Sequence, residues 1–536
     1  MKFTYITTFS SAGIGCYGLK REGFECIATN EYLEKRMNVQ RANHKCKYET
    51  GYITGDITTD EVKQRIFTEI DRWKRDENIT DVDLFFATPP CQGMSNANTR
   101  KGDETQRNSL ITEAVRLINR TKPKCFVFEN VQTFLDTECS DDDGSLILIR
   151  DYINKQLSSS YRIASKVINF RHRGVPQNRV RTIVIGTRND LAELSPFLLF
   201  PVKQREITLR DCIGNLESLN QGERSATDML HFAKQVQPHH EEWMKRLKEG
   251  MSISDLEDFE YFVIGKDGIR QYTESKLIDQ RFRRLRWDEP GHAITRFSGV
   301  PNTTNTIHPV DNRVLSIREL MRIDSIPDEF RWCDEQDYYE QNPDKWSEFL
   351  AANEPNIRDC IGEAVPTHVM EQVGANLKRL LEYQHFMTTG EKPLDANGKC
   401  SNPYVLLEML NRRINATNHV TQQSVFDSYN DVYYRTKDFS KRRLYVIARP
   451  EQIWYCLHQL LFVLEDADMV WIDVVAIPTI TKMMFLKHLI NKLPVGCNVK
   501  IRFFSGNVQT HRNRNVFAIQ DLERLFLTDN GQLIPD

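Results

Sequence analysis

The chain has 536 residues, 40% of them hydrophobic and 27% charged, with a formal net charge of −3, the profile of a soluble globular protein of two or three domains. That charge excludes a global basic field, so a polyanionic partner has to be met by local cationic patches. Twelve scattered cysteines, without a CxxC pair or metal-ligand spacing, suit reduced thiols in a cytoplasmic protein better than a disulfide framework, and no metal site is expected.

The opening residues run straight into a strand, so no signal peptide is expected. No apolar run approaches ~18 residues without a charge, so no membrane span is predicted. Residues 3–9 read as the first strand, ending in Phe9-Ser10-Ser11-Ala12-Gly13-Ile14-Gly15. A helix to about Arg21 and a second strand, Glu25 to Thr29, lead to Asn30-Glu31-Tyr32. Gly13 and Gly15 let backbone approach a ligand closely. An acidic residue closing the second strand, roughly 20 residues on, is the usual partner of a ribose hydroxyl pair, and Glu31 holds that place. Gly55-Asp56-Ile57 supplies another carboxylate at a strand end, with an Asx turn as its plain reading.

Leu84-Phe85-Phe86-Ala87 is short, continuous and aromatic-rich, the pattern of a buried parallel strand. Thr88-Pro89-Pro90 follows and ends the ladder, because proline has no N–H to donate. Cys91 is thus placed at the carboxyl end of a sheet, where open α/β folds hold their ligands. A buried structural thiol, the ordinary reading of a cysteine, would sit inside the strand rather than at its mouth. The polar stretch Asn96 to Asn108 is a candidate mobile loop. A helix from Ser109 to Arg120 then leads to Cys125-Phe126-Val127-Phe128-Glu129-Asn130-Val131, a second buried strand with a carboxylate at its end. A helix-capping surface glutamate is the plain alternative for Glu129. Strands over Arg162–Asn169 and Arg181–Gly186 flank the cationic loop Arg171 to Arg179. A solvated charge run is ordinary there, but so many arginines at one cleft favour a phosphate or carboxylate partner.

Together these residues resemble the DNA cytosine-5 methyltransferases, with eight motifs in that family's order between Phe9 and Pro366. Phe9–Gly15 is similar to the cofactor loop, Asn30-Glu31-Tyr32 to the end of the second strand, and Gly55-Asp56-Ile57 to the adenine-side motif. Pro89-Pro90-Cys91-Gln92 resembles the nucleophile motif, Glu129-Asn130-Val131 the base-gripping motif, and Gln177-Asn178-Arg179-Val180-Arg181 the Gln-x-Arg-x-Arg motif. Arg313–Glu319 through Ile326–Phe330 looks like the helix supporting a recognition domain, and Gly362-Glu363-Ala364-Val365-Pro366 like the last motif, which returns to the cofactor. Three departures stand out: Ser11 replaces a usual Gly, Met94 a usual Phe, and Glu363 a usual Asn, so no cofactor contact is carried onto Glu363.

The resemblance implies an α/β fold: a doubly wound, Rossmann-like S-adenosylmethionine-dependent sheet with a smaller target recognition domain and a C-terminal α/β extension. It implies S-adenosylmethionine as cofactor, held by Phe9, Ser11, Gly13, Gly15, Glu31, Tyr32, Asp56, Ile57, Pro90 and Val365. Duplex DNA is the implied substrate, and a restriction endonuclease acting on the same site is a candidate partner. Cytosine carbon 5 is a poor nucleophile, and adding a thiolate at carbon 6 makes an enamine that can take a methyl group. That requires a thiol more reactive than a free one of pKa ~8.5, and Cys91 is the candidate. Glu129 suits the acid facing ring nitrogen 3, since burial raises a carboxyl pKa in the useful direction. Arg179, ahead of Arg181, is a candidate partner of the base, of Glu129 or of a phosphate. A base inside a duplex must be flipped out to be reached. Gln92 to Arg107 is then the closing loop, with Gln92 and Ser95 lining the vacated space.

The domain reading is catalytic over 1–189, target recognition over 190–311, a return segment over 312–385, a linker over 386–402 and an accessory α/β domain over 403–536. In the middle, Arg281-Phe282-Arg283-Arg284-Leu285-Arg286-Trp287 is the densest basic patch, against the plain reading of a solvated helix face over core aromatics. Arg281, Arg283, Arg284 and Arg296 are candidate DNA contacts, with Thr295-Arg296-Phe297 and Asn302–Asn305 as further readers. Past the linker, strands over Leu444–Ala448, Met469–Ile477 and Val499–Phe504 alternate with helices over Glu451–Leu464 and Thr479–Leu493. Asp473, Lys482 and His511 there match no nuclease template. The competing functional readings are a tRNA cytosine-5 methyltransferase and a non-catalytic DNA-binding regulator. The length between motifs favours DNA over RNA, and intact Cys91, Glu129 and Arg179 favour catalysis over regulation.

Overall fold

The computed structural model describes residues 1–90, 110–256, 262–264, 270–272, 282–301, 306–402, 404–405 and 408–409, and the strands 433–436, 443–448, 469–475, 498–504 and 515–518. Contacts divide the chain into two units, Met1–Asn189 with Arg205–Ala375, and Asp190–Gln204 with Asn376–Asp536. Among the described residues no helix is long and apolar enough to cross a membrane.

The first unit is built on a seven-stranded sheet. Its strands are β1 (Phe3–Thr8), β2 (Phe24–Glu31), β3 (Tyr52–Thr54), β4 (Leu84–Ala87), β5 (Cys125–Val131), β8 (Tyr161–Asn169) and β10 (Val180–Arg188), in the order β3-β2-β1-β4-β5-β10-β8. A hairpin of β6 (Glu138–Ser140) and β7 (Leu146–Leu148) lies outside it, and β9 (Gln177–Asn178) precedes β10. All residues of β1 and β4 are buried, as expected of strands covered on both faces. The helices Asp60–Asp76 and Leu110–Thr121 supply cover. The first is capped by Thr59, whose hydroxyl accepts from the Val62 N–H, and it buries Val62, Ile66, Ile70 and Trp73 along one stripe. The stripe follows the helical repeat, and it meets Ile6, Ile27, Ile53, Phe85, Phe126 and Phe128 in one core.

The chain winds outward from β1 through β2 to β3, then returns to add β4 and β5 on the other side. The carboxyl ends of β1 and β4 are therefore a switch point, where open sheets leave a crevice. β10 is antiparallel to both β5 and β8, which the expectation of a parallel sheet did not contain. The inversion matters for the site: it is the start of β10 that meets the carboxyl end of β5, with Arg181 paired to Val131.

Gly186 of β10 lies opposite Phe126 of β5, and a Cβ there would sit 2.0 Å from the Phe126 ring. Gly186→Ala is expected to cost about 1–3 kcal/mol through overpacking, read as a lowered thermal midpoint. An unchanged midpoint would show that the ring moves aside freely.

After β10 come two short pairings, β11 (Phe262–Ile264) with β12 (Arg270–Tyr272), and β13 (Gly291–His292) with β9. The helices Ile317–Ile323, Trp346–Glu363 and Thr367–Thr389 carry the chain on. A second core joins Ala12, Ile14 and Val39 to Leu230, Leu320, Phe330, Trp346 and Phe349, so this later segment packs back onto the first two helices of the sheet. Within it Arg313 is fully buried, with Nη1 2.8 Å from Glu319 Oε2 and Nη2 2.8 Å from both Glu319 Oε1 and Asp311 Oδ2. Such a forked arginine–carboxylate pair fixes geometry as well as charge.

The second unit holds a mixed sheet in the order β14-β15-β16-β17-β18, formed by Tyr433–Thr436, Arg443–Ala448, Met469–Val475, Asn498–Phe504 and Asn515–Ala518. The three central strands are parallel and both edges antiparallel. The three strands expected from sequence are there, while the expected helices over 451–464 and 479–493 lie outside the described residues. β14 and β18 are additions.

Candidate active site

At the end of β1 the backbone enters the left-handed region three times, at Phe9 (φ 57°), Ser11 (φ 45°) and Gly13 (φ 76°). For the two non-glycines this costs about 1–2 kcal/mol each, and it persists because neighbours hold the loop from several sides. The Ser11 N–H donates to Glu31 Oε2 at 2.8 Å, and the Leu33 N–H to Glu31 Oε1 at 3.0 Å. Gln40 Nε2 donates to Ser10 Oγ (2.8 Å) and to the Ser11 carbonyl (2.6 Å). Buried Lys45 in turn donates to Gln40 Oε1 at 2.7 Å and to Thr29 Oγ1 at 2.9 Å. The serine that replaces glycine thus costs strain, which Glu31 and Gln40 offset.

These residues suit a polar cofactor. Ser11 Oγ is buried without a hydrogen-bond partner, an orphan that a ligand would satisfy. Glu31, buried at the end of β2, presents a carboxylate held by backbone N–H groups on both oxygens. Tyr32 beside it is 69% exposed. Asp56 is exposed and does form the Asx turn, its Oδ1 accepting from the Thr58 N–H at 2.9 Å, with Ile57 buried next to it. Val365 closes the loop from behind: a Cβ on Gly15 would lie 3.1 Å from Val365 Cβ, and Thr367 Oγ1 donates to the Ile14 carbonyl at 3.1 Å. The close approach at Gly15 therefore comes from the returning chain.

The catalytic side is stitched across three strand ends. Thr88 Oγ1 donates to the Phe9 carbonyl at 2.8 Å, and Asn130 Nδ2 to the Pro89 carbonyl at 2.9 Å. Thr88 is thus pinned to the end of β1 and Pro89 to β5, and Pro90, next to the expected nucleophile, is half-buried. Cys91, Gln92, Ser95 and Arg107, with the rest of the expected loop, lie outside the described residues.

Glu129 is buried, its Oε1 has no hydrogen bond, and Arg181 Nε lies 3.4 Å from it. Burial pushes its carboxyl above the usual range, while Arg181 and then Arg179 pull it back. Arg179 is placed differently from Arg181: its Nη1 donates to the Ile294 carbonyl at 2.9 Å and its Nη2 to the Gly362 carbonyl at 3.2 Å. Of the two, Arg181 is the one beside Glu129, and Arg179 ties backbone segments together.

Two features escaped sequence reading. Asp324, fully buried after the helix Ile317–Ile323, accepts from Gln177 Nε2 at 2.7 Å, and its other oxygen has no partner. Burial pushes it up to about 7 against the pull of Arg179. Gln177 passes the contact on, its Oε1 accepting from the Ile294 N–H at 3.1 Å. Secondly, Glu363 divides its oxygens between Arg36 Nη1 at 2.7 Å and Arg296 Nε at 3.3 Å.

Among the expected DNA contacts, Arg284 is buried, with Nη1 donating to the carbonyls of His308 and Asp311 and Nη2 to the Met244 carbonyl and Asn312 Oδ1. Burial lowers its pKa to about 10. The expectation of a DNA contact gives way to a structural role, because its charge is spent on backbone. Arg283 is half-buried and donates to the Gly250 carbonyl at 2.8 Å. Arg296 stays 43% exposed while pairing with Asp359 at 3.0 Å. Arg281 and Asn302–Asn305 lie outside the described residues.

Comparison with known proteins agrees with this geometry. Residues 3–379 match the family described as C-5 cytosine-specific DNA methylase. The Type II methyltransferase M1.HgaI of Avibacterium volantium is 30% identical over 388 residues, covering 69% of this chain and 96% of that protein. M1.HphI of Haemophilus parahaemolyticus, another Type II methyltransferase, is 30% identical over 333 residues, 62% of this chain and 79% of its own. M.PspPI of Psychrobacter sp. is 27% identical over 391 residues, 71% and 80% of the two chains. The family match runs through every residue from Phe9 to Val365 that builds the crevice, so the chain belongs to the C-5 cytosine-specific DNA methylases and takes its methyl group from S-adenosylmethionine.

Proposed function

We propose that the protein methylates carbon 5 of one cytosine within a specific duplex sequence, after flipping that base out of the helix and adding Cys91 to it. The observation that carries this reading is the buried Glu129 carboxyl, whose Oε1 takes no hydrogen bond and is met only by the Arg181 ion pair at 3.4 Å, next to the pinned Pro89 that leads to Cys91. On this reading Phe9, Ser11, Gly13, Gly15, Glu31, Tyr32, Asp56, Ile57, Pro90 and Val365 form the cofactor crevice. S-adenosylmethionine bound there supplies an electrophilic methyl group. The Cys91 thiolate adds to carbon 6, and Glu129, whose pKa burial raises against the pull of Arg181 and Arg179, acts from its protonated form, giving a hydrogen bond and then its proton to ring nitrogen 3. Arg181 holds the Glu129 carboxyl in place, and Arg179 holds the walls. After methylation a water takes the carbon-5 proton, Cys91 is expelled by elimination, and ring nitrogen 3 returns its proton to Glu129.

Residues 1–189 and 312–385 are proposed as the catalytic domain, 190–311 as target recognition, 386–402 as linker and 403–536 as an accessory domain. Gln92, Ser95, Arg107, Arg281, Arg283 and Arg296 are proposed to face DNA. The Type II names of the relatives support a restriction–modification setting; an endonuclease acting on the same site as partner and a cytoplasmic location belong to the same proposal.

Incubation with duplex DNA and methyl-labelled S-adenosylmethionine, followed by bisulfite mapping, tests the activity and reads the sequence. Label is expected on carbon 5 of one cytosine in a fixed context, and Cys91→Ser is expected to abolish it. Label found only in RNA or on an exocyclic nitrogen, or a Cys91→Ser protein working at the wild-type rate, overturns the reading.

A further inference from the structure

The strained turn at the end of β1 rests on a chain of buried hydrogen bonds. Ser11 carries a side chain at φ 45°, a conformation that glycine takes freely and other L-residues take at a cost. The Gln40 side chain reaches it from the second helix, Glu34–Ala42, and uses both ends of its buried amide. Nε2 gives one N–H to Ser10 Oγ at 2.8 Å and the other to the Ser11 carbonyl at 2.6 Å. Oε1 accepts from Thr29 Oγ1 and from Lys45 Nζ, both at 2.7 Å.

Lys45 decides which way that amide faces. An ammonium group donates and never accepts, so the amide oxygen has to point at it and the NH2 group at the loop. Turned over, the amide would set its N–H groups against Lys45 and its oxygen against the Ser11 carbonyl. The same two side chains also pack under the next glycine of the loop. A Cβ on Gly13 would lie 3.1 Å from Gln40 Cγ and 3.5 Å from Lys45 Nζ.

The ammonium is buried without the usual compensation. Its nitrogen donates to Gln40 and to Thr29, and among the described residues no carboxylate lies in ion-pair range of it. A buried charge with no counter-charge costs stability, and an apolar side chain there would avoid that cost. What the lysine secures instead is the orientation of Gln40, and through it the Ser11 backbone.

We propose that Lys45 and Gln40 are positioning residues that hold Ser11 in its left-handed conformation before the cofactor arrives. The need for them comes from Ser11 itself, since a glycine there would take the same turn unaided. This rests on the crevice reading above, in which Ser11 faces S-adenosylmethionine, and adds to it the two residues that set the loop. Without them the loop relaxes in the empty protein, and binding has to restore the strain.

The test is the affinity of the full chain for S-adenosylhomocysteine, measured by calorimetry without DNA. The brace is removed by Gln40→Met together with Lys45→Met, which leaves no buried charge behind, once with Ser11 and once with Ser11→Gly. With Ser11 the affinity is expected to fall about tenfold, the factor that the left-handed strain of one residue corresponds to. With Ser11→Gly the same pair of substitutions should cost no more than about twofold, because glycine needs no brace. Should the paired variant fail to fold, Gln40→Glu carries the same comparison. It gives Lys45 a carboxylate while leaving Ser10 and Ser11 without a donor, and the same contrast between the two backgrounds is expected. Equal losses in both backgrounds overturn the proposal and make Gln40 and Lys45 ordinary members of the core. So does an unchanged affinity with Ser11 when Glu31→Ala binds weakly. If Glu31→Ala binds as wild type does, the crevice reading itself fails and this proposal falls with it.

Discussion

A Glu129→Gln enzyme is expected to bind duplex DNA and S-adenosylmethionine much as wild type does and to turn over about 10²–10⁴-fold more slowly, the usual contribution of a positioned general acid. Gln copies the shape of a protonated Glu and can still donate a hydrogen bond to ring nitrogen 3, but it has no proton to give. The loss should therefore appear in kcat and leave KM for DNA within a few-fold. The environment of Glu129 adds a second readout. Burial raises its pKa and Arg181, then Arg179, lowers it. An acid works only while protonated, so activity should fall as pH rises through that pKa. Removing the nearer cation in Arg181→Gln leaves the burial effect less opposed, and the alkaline limb of kcat should move to higher pH. Wild-type turnover by Glu129→Gln would show that the carboxyl passes no proton. A limb that stays put in Arg181→Gln would show that another group sets it.

Much of this edge was legible in the chain. Continuous apolar runs that stop on a polar residue announced β4 and β5, and the placement of Glu31 after a glycine turn announced the cofactor side. What stayed hidden depended on long-range pairing. The direction of β10 cannot be read from its own residues, because a buried antiparallel strand inside an α/β sheet has the same apolar run as a parallel one. Asp324 looks like a helix-ending turn residue, and its partner Gln177 is 147 positions away. Arg284 did carry a local signal. In an extended chain it shares a face with Phe282, and both are buried. Charge density alone suggested DNA, whereas the alternation pointed inward.

Asp324→Asn is expected to stabilise the protein, by an amount that depends on pH. The carboxyl is fully buried, one oxygen accepts from Gln177 and the other has no partner. Burial raises its folded pKa to about 7, against Arg179, Gln177 and Arg181, which lower it. An unfolded Asp titrates near ~3.9. Below that value both states hold the proton. Between the two values the folded state is protonated and the unfolded state is not, so stability must fall as pH rises. The favourable contribution is complete below ~3.9 and lost once pH passes the folded value, on the order of 4 kcal/mol in total. Asn cannot ionise, yet its side-chain oxygen can still accept from Gln177. The thermal midpoint of Asp324→Asn minus that of wild type should therefore grow from pH 5 to pH 7 and level off above. The subtraction cancels every other titrating group whose surroundings the substitution leaves alone. A difference that stays flat across this range would mean that Arg179 and Arg181 keep Asp324 ionised in the folded protein. Its charge would then be a standing counterweight to those two arginines, and Gln177 would be oriented by a carboxylate at every pH at which the enzyme works.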